Sequence, residues 1–149
     1  MHQASAPDEG LSGPLPAFDS LPNIKKLRLD ENRLTGSIPD NFLAGISDKS
    51  AKLEIGLGFN LITGTVPASL AAFDKVNIEL IGNQIESIDR SLCRKSSWQE
   101  GEIAKLDTDV ACNAILCPTG TYNVYGMASK ALPSCYDCPG APFMGTTSC

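Results

Sequence analysis

Six cysteines carry the most reactive side chains of this 149-residue sequence, and none of them precedes residue 93. An even number of cysteines in a Gly- and Pro-containing C-terminal stretch predicts disulfide bonds, and therefore an oxidising extracellular or lumenal compartment. Zinc is the alternative for the C-x-x-C pair, but a zinc ribbon needs two such knuckles and the sequence has one. The cysteines are Cys93, Cys112, Cys117, Cys135, Cys138 and Cys149.

Catalytic side chains are poorly represented. The single histidine, His2, lies at the N-terminus, so nucleophile mechanisms that rely on a histidine base have no partner. Carboxylate pairs can hydrolyse glycosides, but Asp8-Glu9, Asp30-Glu31 and Asp107 with Asp109 are typical of solvated surface charge. We predict that the chain is not an enzyme and has no catalytic, metal-binding or cofactor-binding residue. A metal-dependent enzyme built on the cysteines is the alternative, and it predicts bound zinc and free thiols.

Charge and hydropathy exclude two further classes of protein. The formal net charge is −5, whereas a nucleic-acid-binding surface is basic. No apolar run approaches the roughly 18 residues that a membrane span needs. Residues 1–10 lack the basic and apolar regions of a signal peptide. Because the cysteines predict export, we expect that residues upstream of this sequence are missing and that the chain is part of a longer protein.

Internal repetition organises the part of the chain that precedes the cysteines. Residues 27–39 and 55–67 both read L-x-L-x-x-N-x-L-T-G-x-I-P, with Ile or Val as occasional substitutes for Leu or Ile. Residues 78–85 form a third copy without Thr-Gly or Pro, and residues 11–16 form the end of a partial first copy. The aligned asparagines are 28 and then 23 residues apart, with an insertion around residues 44–50 in the longer unit. They are Asn32, Asn60 and Asn83.

Each repeat has a mechanical interpretation. The L-x-L alternation predicts a short strand with both leucines pointing inward. The asparagine amide is expected to turn inward and to satisfy backbone groups where the strand ends. Gly and Pro are then expected to shape a turn, and a short apolar stretch returns the chain along the convex side.

This pattern resembles the plant-type leucine-rich repeat over residues 10–93. The resemblance implies an α/β solenoid: a short leucine-rich-repeat stack with a small disulfide-rich C-terminal cap. We predict a repeat array over residues 1–93, with a partial first repeat and three further repeats. In the partial repeat Ala4 and Ala6 replace the strand leucines, and Glu9 replaces the asparagine. An open solenoid end exposes apolar side chains, so residues 94–149 are predicted to form a cysteine-rich capping module.

The cap begins with a predicted short helix in which Ser97 is the N-cap and Glu100 occupies the capping-box position. Trp98 is expected to pack over the last repeat. The C-P-x-G-T-Y … C-x-x-C-P … C pattern of residues 117–149 resembles a growth-factor-like or ephrin-receptor-like cysteine module. The junction between array and cap, residues 98–118, is similar to that of leucine-rich-repeat proteins from diatoms and related algae, whose functions are mostly unassigned.

The cysteine pairing is left open by the residues alone, because six cysteines allow fifteen connectivities. The resemblance to the growth-factor-like module implies that Cys117 bonds Cys135 and that Cys138 bonds Cys149. Cys93 and Cys112 would then join the solenoid end to the cap.

The concave face of the solenoid is the predicted binding surface. Its residues flank the inward-facing leucines of the strands, and an apolar side chain exposed in such a groove can mark a contact site. The alternative is that Phe59 packs beneath its own turn and that the neighbouring glycines only relieve crowding. So few repeats also offer little area beside the ~800 Å² per partner of a standard interface. The candidate residues are Arg28, Asp30, Glu54, Phe59, Asn77, Glu79 and Ile81.

Two functions fit these features. The first is a non-enzymatic protein-interaction or structural module of the secretory pathway, within a larger protein or assembly. The second is a ligand-recognition domain, either a cell-wall glycan binder or a hydrolase inhibitor, that uses the concave face. Ice binding would need a flat, regular threonine array, and the pair Thr35 and Thr63 is too short.

Overall fold

The computed structural model describes residues 10–149, which form a solenoid of parallel strands followed by the cysteine-rich module. The concave sheet consists of β2 (Lys26–Arg28), β4 (Lys52–Gly56) and β6 (Lys75–Glu79). A second parallel sheet consists of β1 (Ser12–Pro14), β3 (Arg33–Gly36), β5 (Leu61–Val66) and β7 (Gln84–Ile88). The predicted solenoid class is therefore confirmed.

Three parts of the sequence analysis lie outside the described residues. They are His2, the acidic pair Asp8-Glu9, and the strand positions Ala4 and Ala6 of the partial first repeat.

The concave sheet follows the register of the repeats. Leu27 pairs with Ile55, and Ile55 pairs with Ile78. These separations of 28 and 23 residues equal those between the aligned asparagines. The predicted inward leucines are buried: Leu27, Leu29, Ile55, Leu57, Ile78 and Leu80.

The second sheet differs from the sequence analysis, which assigns a turn to the Thr-Gly segment of each repeat. Strands β3 and β5 pass through this segment, and Thr35 pairs with Leu61, 26 residues further on. The register is therefore offset by two residues from the repeat alignment. An offset of two keeps inward side chains beside inward side chains, because strand side chains alternate with a period of two. Stacked repeats can thus pair backbone groups that a single repeat would leave unsatisfied.

The predicted asparagine ladder is present in the core of the solenoid. Asn60 donates from Nδ2 to the carbonyl oxygens of Leu29 and Leu57, at 2.9 and 3.0 Å. Its Oδ1 accepts a hydrogen bond from the amide of Leu34 at 3.0 Å. Asn83 repeats the arrangement with the Leu57 carbonyl and the Ile62 amide. Asn60, which is buried, and Asn83, which is partly buried, therefore link each repeat to the preceding one, as the sequence predicts.

The 3₁₀ segment Ala68–Ala72 connects β5 to β6 within the array. Short helices close the end of the solenoid: the 3₁₀ segments Arg90–Arg94, Gln99–Gly101 and Thr108–Ala114, and α1 (Glu102–Lys105). Trp98 is fully buried against the core, as expected, and donates from Nε1 to the Phe73 carbonyl at 2.9 Å. The predicted capping box is wrong. The segment Gln99–Gly101 follows Trp98 rather than Ser97, without a side-chain cap. The Glu100 carboxylate instead bonds Lys52 and Asn77 of the concave sheet.

The cysteine-rich module contains the antiparallel pair β8 (Thr121–Tyr122) and β9 (Tyr136–Asp137). Its disulfides join Cys117 to Cys135 and Cys138 to Cys149, and a third joins Cys93 to Cys112. These are the pairs that the resemblance implies. With their sulfur atoms so bonded, Cys135 and Cys138 offer no thiolate to a zinc ion.

The module packs on the solenoid through backbone and core contacts. The Met144 amide donates to the Ile85 carbonyl at 2.8 Å. Ile115 and Leu116 are fully buried in the same hydrophobic cluster as the solenoid residues. No helix in the described part of the chain is long and apolar enough to cross a membrane.

Candidate functional site

A cleft of about 480 Å³ lies between the concave sheet and the cysteine-rich module. Strands β2, β4 and β6 contribute polar side chains to it: Arg28, Glu54, Asn77 and Glu79. The cysteine-rich module contributes apolar side chains: Ala114, Met127, Ala128 and Leu132. The polar side chains of Gln99, Glu100, Glu102 and Ser129 also line it, together with Ile55 and Ile78 of the sheet. One surface of the cleft is therefore charged and another is apolar.

Glycines of the middle strand let charged side chains from its two neighbours meet. Arg28, Gly56 and Glu79 stand side by side in the register of the sheet. A Cβ atom at Gly56 would collide with the Asp30 carboxylate and would lie 2.8 Å from Arg28 Nε. A Cβ atom at Gly58 would lie 3.0 Å from Glu79 Oε1. The side chains from β2 and β6 therefore extend over the space that the middle strand leaves empty.

The resulting cluster joins one cation to two carboxylates. Arg28 Nε lies 3.2 Å from Asp30 Oδ1, and Asp30 Oδ2 accepts a hydrogen bond from the Gly58 amide at 3.1 Å. The same Cβ atom at Gly58 would lie 3.3 Å from Asp30 Oδ2, so the carboxyl groups of Asp30 and Glu79 both reach the space beside this glycine. Arg28 is the one cation of this cluster, so the cluster has a net negative charge when both carboxyl groups are ionised.

Burial is the main cause of a raised pKa at Glu79, and the negative charge and hydrogen bond of Asp30 raise it further. Arg28 lowers it in part. At the end of the cleft the opposite holds, since hydrogen bonds from Lys52 and Asn77 lower the pKa of Glu100. The cleft thus contains one carboxyl group, Glu79, whose charge the surroundings disfavour.

Gln99 closes the edge of the concave sheet at strand β6. Its Oε1 accepts a hydrogen bond from the Ile78 amide at 2.7 Å. Its Nε2 donates to the carbonyls of Ile78 and Ala114, at 3.0 and 3.1 Å. The side-chain amide therefore takes the place that the peptide group of a further strand would occupy.

The seven predicted binding residues fall into two groups. Arg28, Glu54, Asn77 and Glu79 line the cleft, and Asp30 joins them through Arg28 and Glu79. The other two, Phe59 and Ile81, line a separate depression of about 280 Å³ beside Phe143 and Met144.

Backbone geometry explains why Phe59 lies apart from the cleft. Its φ is 58°, and the equivalent residues Glu31 and Gly82 have φ of 61° and 81°. This left-handed residue turns the chain from the concave strand towards the second sheet. The Phe59 side chain is 56% exposed, and its ring lies where a Cβ atom of Gly82 would be. Ile81 is partly buried, near Gly126 of the module.

The half of the cleft that the cysteine-rich module supplies was not predicted from the sequence. Gln99, Met127, Ala128 and Leu132 belong to segments in which the cysteine spacing is the dominant pattern. The resemblance to the growth-factor-like module implies which cysteines pair, and it carries no information about which surface the module covers. No signal in the sequence would have found these residues.

Comparisons with known proteins give a structural likeness and no sequence family. No protein-family model and no curated protein matches the chain. A leucine-rich-repeat ectodomain does match: that of the plant membrane receptor kinase GASSHO1/SCHENGEN3 from Arabidopsis thaliana, solved in complex with CASPARIAN STRIP INTEGRITY FACTOR 2. The identity is 31% and the TM-score 0.50, over 60% of this chain and 11% of that one. A plant ice-binding protein matches with 30% identity and a TM-score of 0.45, over 56% and 34% of the two chains.

The likeness supports the leucine-rich-repeat-type solenoid. The matched part of this chain corresponds to about a tenth of the receptor ectodomain and about a third of the ice-binding protein. The similarity to algal proteins and to growth-factor-like modules stays a prediction. Three disulfides are typical of oxidising compartments.

Proposed function

We propose that this chain is a non-enzymatic protein-interaction module, extracellular or lumenal, that holds a segment of a partner protein in the concave cleft. The observation that carries the proposal is the cleft itself, about 480 Å³ in volume with one polar and one apolar surface. Ligand sites commonly have volumes of about 300–1,000 Å³ and combine apolar walls with a few polar groups. The plant receptor ectodomain, solved in complex with its factor, supports the use of such a solenoid for binding.

The lining also favours a polypeptide over a glycan. Among the described residues that line the cleft there is no aromatic side chain on which a sugar ring could stack. The apolar surface is instead built from Met127, Ala128 and Leu132, which suit the aliphatic side chains of a protein segment. We therefore place a protein partner ahead of a cell-wall glycan, within a larger protein or assembly.

A matched pair of substitutions tests the proposal. Peptides are selected from a random library on the immobilised chain, and their dissociation constants are measured against Glu54→Trp and Glu86→Trp. Glu54 lies on β4 and lines the cleft, so tryptophan there fills it. Glu86 lies exposed on β7 of the second sheet and receives the same change of charge and size. Tryptophan is well tolerated on an outward strand position.

We expect the selected peptides to bind the wild-type chain and Glu86→Trp equally, and to bind Glu54→Trp at least about tenfold more weakly, a loss of about 1.4 kcal/mol. Equal binding to both variants, or no saturable peptide binder, would contradict the proposal. Circular dichroism and melting curves show whether each variant is folded. Should Glu54→Trp misfold, Glu102→Trp at another edge of the cleft takes its place.

A further inference from the structure

We infer that the segment held in the cleft presents a lysine or arginine side chain to the carboxylates of Asp30 and Glu79. The aliphatic stem of that side chain, or an apolar neighbour, lies against Met127 and Leu132. This inference rests on the proposed function and names the chemistry of the partner.

The lining of the cleft has an excess of acidic side chains. Among the described residues, four glutamates line it and one cation, Arg28. Three of the four already have a lysine partner: Glu54 with Lys26 at 3.3 Å, Glu100 with Lys52 at 2.8 Å and Glu102 with Lys105 at 2.9 Å.

Glu79 is the fourth glutamate. Among the described residues no lysine or arginine forms an ion pair with it, and its carboxyl group faces the same space beside Gly58 as that of Asp30. Arg28 is engaged with Asp30 at 3.2 Å. The excess negative charge is therefore concentrated at Glu79, which lines the cleft, and at Asp30 beside it.

The negative charge of Asp30 and Glu79 is unfavourable in the absence of a further cation. Burial and the charge of Asp30 both raise the pKa of Glu79, so the native chain holds a carboxylate where ionisation is disfavoured. A cation supplied by a partner would favour the ionised form of both acids through charge-assisted hydrogen bonds. Such locally unfavourable arrangements are characteristic of functional sites.

The apolar surface of the cleft favours a basic side chain over a metal ion as the ligand. Lysine and arginine lay their aliphatic stems along apolar surface while the charged group reaches a polar one. A hydrated calcium or magnesium ion would instead need about six or more oxygen ligands. Met127 and Leu132 offer none from their side chains, and methionine adapts its shape to a flexible stem.

The experiment starts from peptides selected on the wild-type chain whose binding Glu54→Trp weakens and Glu86→Trp does not. Each lysine or arginine of the best binder is replaced by glutamine, one at a time. One replacement should weaken binding to the wild-type chain about tenfold. Against Glu79→Gln the parent peptide should lose a similar factor, and the replaced peptide should lose nothing further. Glu86→Gln, on the other sheet, should bind both peptides as the wild-type chain does.

The pH dependence gives a second readout. Affinity of the wild-type chain for the parent peptide should fall as pH falls through the pKa of Glu79, and this component should be absent from Glu79→Gln. The other charged groups that face Glu79 or share the cleft are Arg28, Asp30, Glu54, Glu100 and Glu102. They remain in the variant, so the difference between the two profiles isolates Glu79. Asp30→Asn is the companion variant and should weaken the parent peptide in the same direction.

The outcomes separate the two proposals. Peptides that Glu54→Trp displaces, but that contain no basic residue, would overturn the inference and leave the proposed function standing. Strictly additive effects of the glutamine replacement and Glu79→Gln would overturn it too. Absence of any binding sensitive to Glu54→Trp would contradict the proposed function itself.

Discussion

At the scale of single residues, two glycines make the charged cluster possible: Gly56 at the end of β4 and Gly58 two residues beyond it. Gly56 and Gly58 hold positions that carry Arg28 and Asp30 in the preceding repeat and Glu79 and Ile81 in the next. Alanine at Gly56 would collide with the Asp30 carboxylate. The glycines do relieve crowding, as the sequence analysis allowed, and the space they leave is what brings two carboxylates together.

The pKa of Glu79 predicts a stability change with a definite sign. The pKa of Glu79 is higher in the native state than in the unfolded chain. The contribution of Glu79 to the free energy of unfolding is therefore fully present below the pKa of the unfolded chain and is lost as pH rises through the native pKa. Glutamine does not ionise, so Glu79→Gln should not lose stability in this pH range. We expect the variant to melt about 1–3 °C above the wild-type chain at neutral pH, and the difference to vanish below about pH 4.

Thermal unfolding between acidic and neutral pH checks this prediction, with Glu86→Gln as the control that should follow the wild-type profile. A Glu79→Gln variant that melts below the wild-type chain at neutral pH would show that the carboxylate stabilises the fold.

At the scale of elements, the free edge of the concave sheet is closed by side chains rather than by another strand. Exposed strand edges invite pairing with other chains. Here Gln99 bonds the backbone of Ile78, and Glu100 bonds Asn77 and Lys52. Both Gln99 and Glu100 have φ of 55°, a left-handed conformation that costs free energy in residues other than glycine. The contacts of both side chains with β6 offset that cost.

Gln99→Ala tests this edge closure. The substitution keeps the backbone conformation but removes three hydrogen bonds, including the one that satisfies the Ile78 amide. We expect the free energy of unfolding to fall by about 2–3 kcal/mol, because backbone groups would lose their partners. Urea denaturation measures the change. Gln84→Ala, exposed on β7, should alter stability by less than about 0.5 kcal/mol. Equal effects of the two substitutions would refute the strand-like role of Gln99.

At the scale of the whole molecule, solenoid and cap share one hydrophobic cluster. It extends from Leu15 in the first described repeat to Leu116 beyond the cap helices, and the disulfide between Cys93 and Cys112 spans the junction. The module that covers the concave face is thus anchored by both packing and covalent bonds. A cleft between two parts held in this way is expected to keep its shape before a partner binds, which lowers the entropic cost of binding.

The order of disulfide reduction provides the prediction at this scale. Cys149 is exposed, although its partner Cys138 is buried, and their bond spans 11 residues. Cys117 is fully buried and its partner Cys135 is only partly exposed. Access to a sulfur atom governs thiol exchange. Mild reductant should therefore open Cys138–Cys149 first, which peptide mapping after alkylation would identify.

Intact mass measurements count the free thiols before and after reduction. The native protein should take up no alkylating agent without reductant and six equivalents after full reduction under denaturing conditions. Alkylation of the untreated native chain, or initial opening of Cys117–Cys135, would contradict the arrangement described above.

Local patterns in the sequence were sufficient to predict the repeat stack. Alternating leucines set the inward faces of the concave strands, and the spacing of Asn32, Asn60 and Asn83 set their register, because both signals are local and recur in each repeat. The cysteine pattern likewise predicted a disulfide-rich cap at the C-terminal end of the array. Four of the seven predicted binding residues line the cleft, since strand alternation fixes which side chains point outward.

The second sheet, the position of Glu100 and the cleft depend on tertiary contacts. The second sheet forms because neighbouring repeats stack, and a single Thr-Gly segment read alone is indistinguishable from a turn. Glu100 left its predicted capping position because the edge of β6 offered Asn77 and Lys52 as partners. The cleft requires the cysteine-rich module to dock on the concave face, through contacts such as Gln99 with Ile78 and Met144 with Ile85. Such contacts join residues far apart in the chain, and their energy depends on a surface that exists only after folding.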